Sequence, residues 1–153
     1  MKGIKMKRLF CLTLAFAILI SVVPLFASAT ENEILYFEDG SYIIIETVCN
    51  STRASGAVSG GKQYTYYDSD GVSKWKAVLN GSFTYTGSSA TCTSSSVDVT
   101  VYDDSWYVSY KYAGKSGNSA TASVTMARTV DGTTLTKVPV TLILTCDANG
   151  NLS

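Results

Sequence analysis

The chain has 153 residues, with twelve basic residues, twelve acidic residues and no histidine. Four of the basic residues fall within the first eight positions, so residues 30–153 carry eight basic against twelve acidic residues, a net charge of −4. This balance argues against a nucleic-acid-binding protein, which normally has a basic face, and against a protein that binds membranes through a polybasic patch.

Residues 1–29 have the pattern of a secretory signal peptide. An apolar run at residues 9–26 follows a basic start and precedes the small residues "ASA" at 27–29. The run is nearly long enough to be an uncleaved membrane anchor, but Pro24 and the small residues after it favour cleavage after Ala29. We therefore expect a protein that is secreted, extracellular or loosely associated with the cell wall, without a membrane partner after cleavage.

Residues 30–49 are predicted to form an N-terminal β-hairpin. Two β-prone apolar runs surround the turn residues "EDG" within residues 34–48. Residues 50–62 are rich in Ser and Gly and lack large apolar side chains, which predicts a mobile linker. The hairpin is then either docked on the following domain, closing a sheet edge, or a detachable arm with Arg53 as a protease site.

Residues 63–153 are predicted to form a β-sandwich. Apolar and polar residues alternate in short runs separated by Asp, Gly, Ser and Asn turns, and no amphipathic helical stripe of useful length is present. The expected fold is an all-β, antiparallel sandwich of about seven to nine strands. In "SWYVSYKYAG", strict alternation places Trp106, Tyr110 and Tyr112 on the core face and Tyr107 on the opposite face.

Three cysteines follow the signal segment, an odd number for an exported chain. Cys146 ends an alternating apolar run and Cys92 begins a strand, whereas Cys49 borders the linker. We therefore predict a disulfide between Cys92 and Cys146, and the fate of Cys49 stays open. The absence of histidine and of paired-cysteine spacing argues against a zinc site.

The stretch "YTYYDSDGVSKWK" at residues 64–76 is predicted to be a hairpin whose outer face carries a ligand site. Alternation turns Tyr67 outward near Lys74 and Lys76. Outward aromatic rings flanked by charged groups suit glycan binding, and Tyr107 is a second candidate. The alternative is that these tyrosines follow only from the strand preference of the residue. "DSDG" lacks the further carboxylates that a calcium loop requires, so no metal is expected.

Catalysis is not expected, because the usual base of a serine or cysteine nucleophile is absent. The alternative is a carboxylate pair for glycoside hydrolysis, supplied by two of Asp68, Asp70, Asp103 and Asp104. Turn capping explains all four aspartates equally well. No cofactor motif is present, so we expect a non-enzyme without a cofactor.

The segment from "YTYYDSDGVSKWK" to "VYDDSWYV" and the closing "LTCDANGNLS" resemble small exported proteins of Gram-positive anaerobes with unassigned function. The resemblance covers the chain from about residue 34 and implies export and an all-β domain, but no activity and no site residues. The order Cys92, Trp106, Cys146 is similar to that of immunoglobulin domains, although Leu144 stands where those domains have a tyrosine.

Two classes of function are therefore predicted for this chain. The first is a secreted binding module for a glycan or an extracellular protein. The alternative is a secreted structural or effector protein that pairs with a partner through its N-terminal hairpin. A carboxylate-based glycoside hydrolase is a distant third.

Overall fold

A computed structural model describes residues 32–48 and 56–153, which form eight strands. The strands are β1 (Glu33–Tyr36), β2 (Tyr42–Val48), β3 (Ala57–Tyr67), β4 (Ser73–Tyr85), β5 (Ala90–Val101), β6 (Trp106–Ser116), β7 (Ser119–Val130) and β8 (Thr133–Thr145). No helix among these residues is long and apolar enough to cross a membrane. The predicted signal peptide at residues 1–29, Cys49 and Arg53 lie outside the described residues.

The strands form two antiparallel sheets, as the alternating sequence predicts. One sheet has the order β1-β2-β3-β4-β5 and the other the order β6-β7-β8. Residues of both sheets contribute to one hydrophobic core, so the predicted all-β sandwich is confirmed. The strand order is sequential within each sheet, whereas an immunoglobulin sandwich exchanges strands between its sheets; the immunoglobulin arrangement is not seen.

β4 lies between β3 and β5 in the larger sheet and shows why this sequence forms a sandwich. Trp75, Ala77 and Leu79 are fully buried and alternate with the half-buried Lys76 and Val78. Period-two alternation puts such residues on one face of a strand, where they cover the opposing sheet. The side chains of β7 that face them come from Ala120, Ala122, Val124 and Met126.

The predicted linker at residues 50–62 is wrong over its second part, because β3 begins at Ala57. Its glycines serve close packing. A Cβ on Gly61 would lie 3.0 Å from the carbonyl oxygen of Leu79. On the neighbouring strand, a Cβ on Gly81 would lie 2.8 Å from the ring of Phe83. Large side chains are therefore absent here because neighbouring atoms already occupy the space that a side chain would need. Glycines within strands often mark such close approaches.

β6 contains a departure from strict alternation. Its pairing with β7 shifts between Val108 and Tyr110. The extra residue, Ser109, reverses the faces of the residues that follow, as β-bulges do. Trp106 is buried, whereas Tyr110 and Tyr112 are 54% and 58% exposed. The prediction that Tyr110 and Tyr112 face the core is therefore wrong.

The N-terminal hairpin, β1 and β2, is continuous with the larger sheet. β2 pairs with β3 from Tyr42 opposite Tyr67 to Val48 opposite Gly61. Ile43 and Ile45 of β2 are buried in the core that both sheets share, whereas all four residues of β1 are exposed. The hairpin therefore extends the larger sheet, with β2 packed into the core and β1 at the exposed edge.

Cys92 and Cys146 are buried thiols that are not bonded to one another in this structure. They belong to different sheets, and both lie beside the turn between β6 and β7. The amide of Cys92 donates to Gly117 O at 2.7 Å, and that of Cys146 to Asn118 O at 3.0 Å. Burial raises the pKa of both thiols, and the nearby Cys92 adds a smaller increase at Cys146. The disulfide stays a prediction.

Candidate functional site

A row of three tyrosines crosses the outer face of the larger sheet. Tyr36 on β1 pairs with Tyr42 on β2, which pairs with Tyr67 on β3. The ring centroids of Tyr42 and Tyr67 are 5.0 Å apart with the planes 10° from parallel. Those of Tyr36 and Tyr42 are 5.7 Å apart and tilted by 42°. We call Tyr36, Tyr42 and Tyr67 the tyrosine row.

The spacing of the row follows from the sheet itself. Neighbouring strands lie about 4.8 Å apart, so rings at paired positions stack on one another and stand up from the sheet. Tyr36 ends the row at the sheet edge and is 71% exposed. Burial raises the pKa of Tyr67, and the neighbouring Tyr42, Glu46 and Tyr102 raise it further. The phenol of Tyr67 therefore remains a neutral hydrogen-bonding group.

The outer face changes from apolar to polar across the sheet. The next set of outward residues paired across the strands consists of Ile34, Ile44, Thr65 and Lys76. Glu46 and Gln63 form the following outward pair, and Gln63 Nε2 donates a hydrogen bond to Glu46 Oε2 at 2.8 Å. The predicted residues Tyr67 and Lys76 thus share one face, with an apolar hairpin on one side and polar groups on the other.

Lys74 is part of an ion-pair bridge between two turns. Its Nζ lies 3.0 Å from Asp68 Oδ2 and 3.0 Å from Asp103 Oδ2. Asp68 Oδ1 accepts hydrogen bonds from the amides of Asp70 and Val72. The predicted ligand-binding role of Lys74 is therefore limited, because its ammonium group is already held by two carboxylates.

The same bridge bears on the hydrolase alternative. Asp68 and Asp103 are brought together, but hydrogen bonds and Lys74 lower the pKa of both carboxyl groups. A general acid of a glycoside hydrolase needs a raised pKa. The geometry therefore favours a structural role for these aspartates.

Asp103 should make the free energy of unfolding depend on pH in the acid range. The hydroxyl and amide of Ser105, followed by Lys74, lower its pKa to about 2, whereas an unfolded aspartate titrates near 3.9. The carboxylate therefore stabilises the fold fully above about pH 4, and this contribution is lost as the pH falls through about 2. We expect Asp103→Asn to flatten the stability profile between these pH values in urea unfolding. The exposed Asp104, changed to Asn, is the control; equal profiles for the two variants would contradict the assignment.

Tyr107 lies on the outer face of the other sheet. It neighbours the exposed Tyr110 and Tyr112 there, and its hydroxyl is 3.4 Å from Thr134 Oγ1. The structure therefore does not bring Tyr67 and Tyr107 into one site. It joins Tyr67 instead to Tyr36 and Tyr42, which the sequence analysis did not single out. Their positions on either side of the predicted hairpin turn were the signal that pairs them.

Within residues 32–48 and 56–153, no group of three or more His, Cys, Asp or Glu side chains is placed to hold a metal ion. Comparison of the sequence and fold with protein-family models, curated proteins and solved structures gave no match.

Proposed function

We propose that the protein is an exported, non-catalytic binding module that holds an extended glycan chain along the tyrosine row. The observation that supports this most is the continuity of Tyr36, Tyr42 and Tyr67 across three paired strands. Export is inferred from the signal-peptide pattern of residues 1–29.

The chemistry of the row suits a polysaccharide. Each tyrosine offers an apolar body and a hydroxyl that donates and accepts hydrogen bonds. A sugar chain presents the same combination, with C–H groups beside hydroxyl groups. The row lies on an open sheet face, whereas small molecules favour concave pockets. Lys76 and Glu46 lie on the same face, in the two sets of cross-strand pairs next to the tyrosine row, and would bind further hydroxyl groups of the sugar chain.

The test is retention of the protein on cell-wall, mucin and plant polysaccharide resins. Tyr36→Ala combined with Tyr67→Ala should weaken retention about tenfold or more, because it removes two of the three rings and aromatic residues dominate binding surfaces. Tyr107→Ala combined with Tyr110→Ala, on the opposite face, is the matched control and should be retained like the parent. All proteins are first compared by thermal unfolding. Equal retention of both double variants, or no retention of the parent, contradicts the proposal.

A second candidate function is supported by the exposed edge of the hairpin. Ile34 on the outer face and Leu35 on the opposite face of β1 are 46% and 49% exposed. An extracellular protein could add a strand along this edge and cover both side chains. Leu35→Lys should then abolish binding of a protein partner but leave polysaccharide retention intact. Loss of polysaccharide retention in this variant would contradict the separation of the two surfaces.

A further inference from the structure

The end of the sandwich that carries the turns before β2 and after β3 contains a cleft between the two sheets. It consists of two adjoining cavities of about 160 Å³ and 320 Å³, which share Asp39, Ser41 and Tyr66 in their walls. Arg128 and Trp106 line the smaller cavity, and the larger one is lined by Phe37 and by residues 136–139 of β8. We call this the end cleft. It is separate from the tyrosine row, which lies on the outer face.

Tyr66 carries the strongest sign of a ligand. Its side chain is only 6% exposed and stacks on Trp75, with ring centroids 5.3 Å apart and planes 2° from parallel. Among the described residues the Tyr66 hydroxyl has no hydrogen-bond partner. In the same part of the chain, the only side-chain nitrogen or oxygen that lacks a partner and is also sealed from solvent is Trp75 Nε1, so the Tyr66 hydroxyl is not sealed. The Tyr66 hydroxyl therefore opens to the cleft. The ring of Tyr66 is thus buried while its hydroxyl faces the cleft without a protein partner, which leaves a donor and an acceptor free for a polar ligand.

Two charged groups face the smaller cavity without joining each other. Asp39 Oδ1 accepts hydrogen bonds from the amide and hydroxyl of Ser41, which leaves Oδ2 for a ligand. The ion pairs found in the described part of the chain both use Lys74, so Arg128 has no carboxylate partner there. The cleft as a whole has three cationic side chains, Lys74, Arg128 and Lys137, and three anionic ones, Asp39, Asp68 and the Asp103 that also holds Lys74, so its formal charges balance.

We propose that the end cleft binds a single neutral sugar residue. A carboxylate acceptor at Asp39, a guanidinium donor at Arg128 and an amphoteric hydroxyl at Tyr66 match neighbouring sugar hydroxyls, which both donate and accept hydrogen bonds. The rings of Phe37 and Trp106 supply apolar walls for the C–H face. The balanced charge disfavours phosphates and polyamines. Sugar binding in the end cleft does not require the tyrosine row, so each site can be tested without the other.

Intrinsic tryptophan fluorescence tests the proposal directly. The chain contains two tryptophans, and both belong to the aromatic cluster around Tyr66. Titration of the parent protein with glucose, galactose, N-acetylglucosamine and fucose, each as the free monosaccharide, should give a saturable change in emission with at least one of them. Alanine as a zwitterion and inorganic phosphate as an anion are titrated in parallel.

The variants separate binding from folding. Tyr66→Phe keeps the stacked ring and removes only the unpartnered hydroxyl, so its unfolding temperature should stay within experimental error or rise. Its sugar affinity should fall about tenfold. Arg128→Gln should lose a similar factor, and Lys111→Gln, outside the cleft, is the charge-removal control. No saturable change with any sugar, a response to alanine or phosphate alone, or unchanged affinity in both cleft variants would overturn the proposal.

Discussion

Protein in which Cys92 and Cys146 are joined is expected to be about 3 to 4 kcal/mol more stable than the reduced protein. The bond would close a loop of roughly fifty residues and tie the two sheets together. Both thiols are buried and flank the same turn through the Gly117 and Asn118 carbonyls. Urea unfolding of the oxidised and reduced protein measures the difference.

The control for this prediction is Cys49→Ser, which removes the competing thiol. This variant should keep the full difference between the oxidised and reduced forms, whereas Cys146→Ser should abolish it. Peptide mapping without reduction identifies the pair independently. A peptide linked through Cys49 as the main species would contradict the assignment.

The second large effect is expected in β6. Trp106→Ala should destabilise the protein by about 3 to 5 kcal/mol, because it empties a buried aromatic site. Tyr110→Ala should change stability by only about 0.5 kcal/mol, as exposed positions do, because the bulge at Ser109 turns its ring outward. Chemical unfolding of both variants measures the contrast. Comparable losses would mean that strict alternation continues through β6 and that the bulge is absent.

The sequence alone was sufficient to predict core residues and turns where apolar and polar residues alternate regularly and the turns have typical residues. In β4 the period-two pattern predicts one shared face for Trp75, Ala77, Leu79, Phe83 and Tyr85; the structure buries the first four, and Tyr85 is partly buried against the same core. Asp131 and Gly132 mark the turn between β7 and β8, where both residues have positive φ, 50° and 76°. Such Asp-Gly pairs are typical of tight hairpins.

Local composition was misleading where the cause lies on another strand. Gly60 and Gly61 look like a flexible linker, but they are buried strand residues next to β4. Ser109 gives no sign of a bulge, because the shift arises from its pairing with β7. These features depend on contacts between distant parts of the chain, which alternation within one strand does not contain.

The candidate sites were predicted only in part for the same reason. Outward Tyr67 followed from alternation, but the tyrosine row requires the register of three strands. The end cleft joins Asp39 near β2 to Arg128 on β7, residues that are far apart in sequence. Lys74 looked like a free cation and is held by Asp68 and Asp103.

The tyrosine row exists only if the hairpin is part of the larger sheet, because two of its three rings, Tyr36 and Tyr42, belong to the hairpin. Amide hydrogen exchange of the full chain, quenched and then read peptide by peptide by mass spectrometry, tests this directly. We predict that residues 42–48 are protected to the same degree as their partners in β3, since β2 pairs with β3 along its whole length. Rapid exchange throughout residues 42–48, with β3 and β4 still protected, would contradict it.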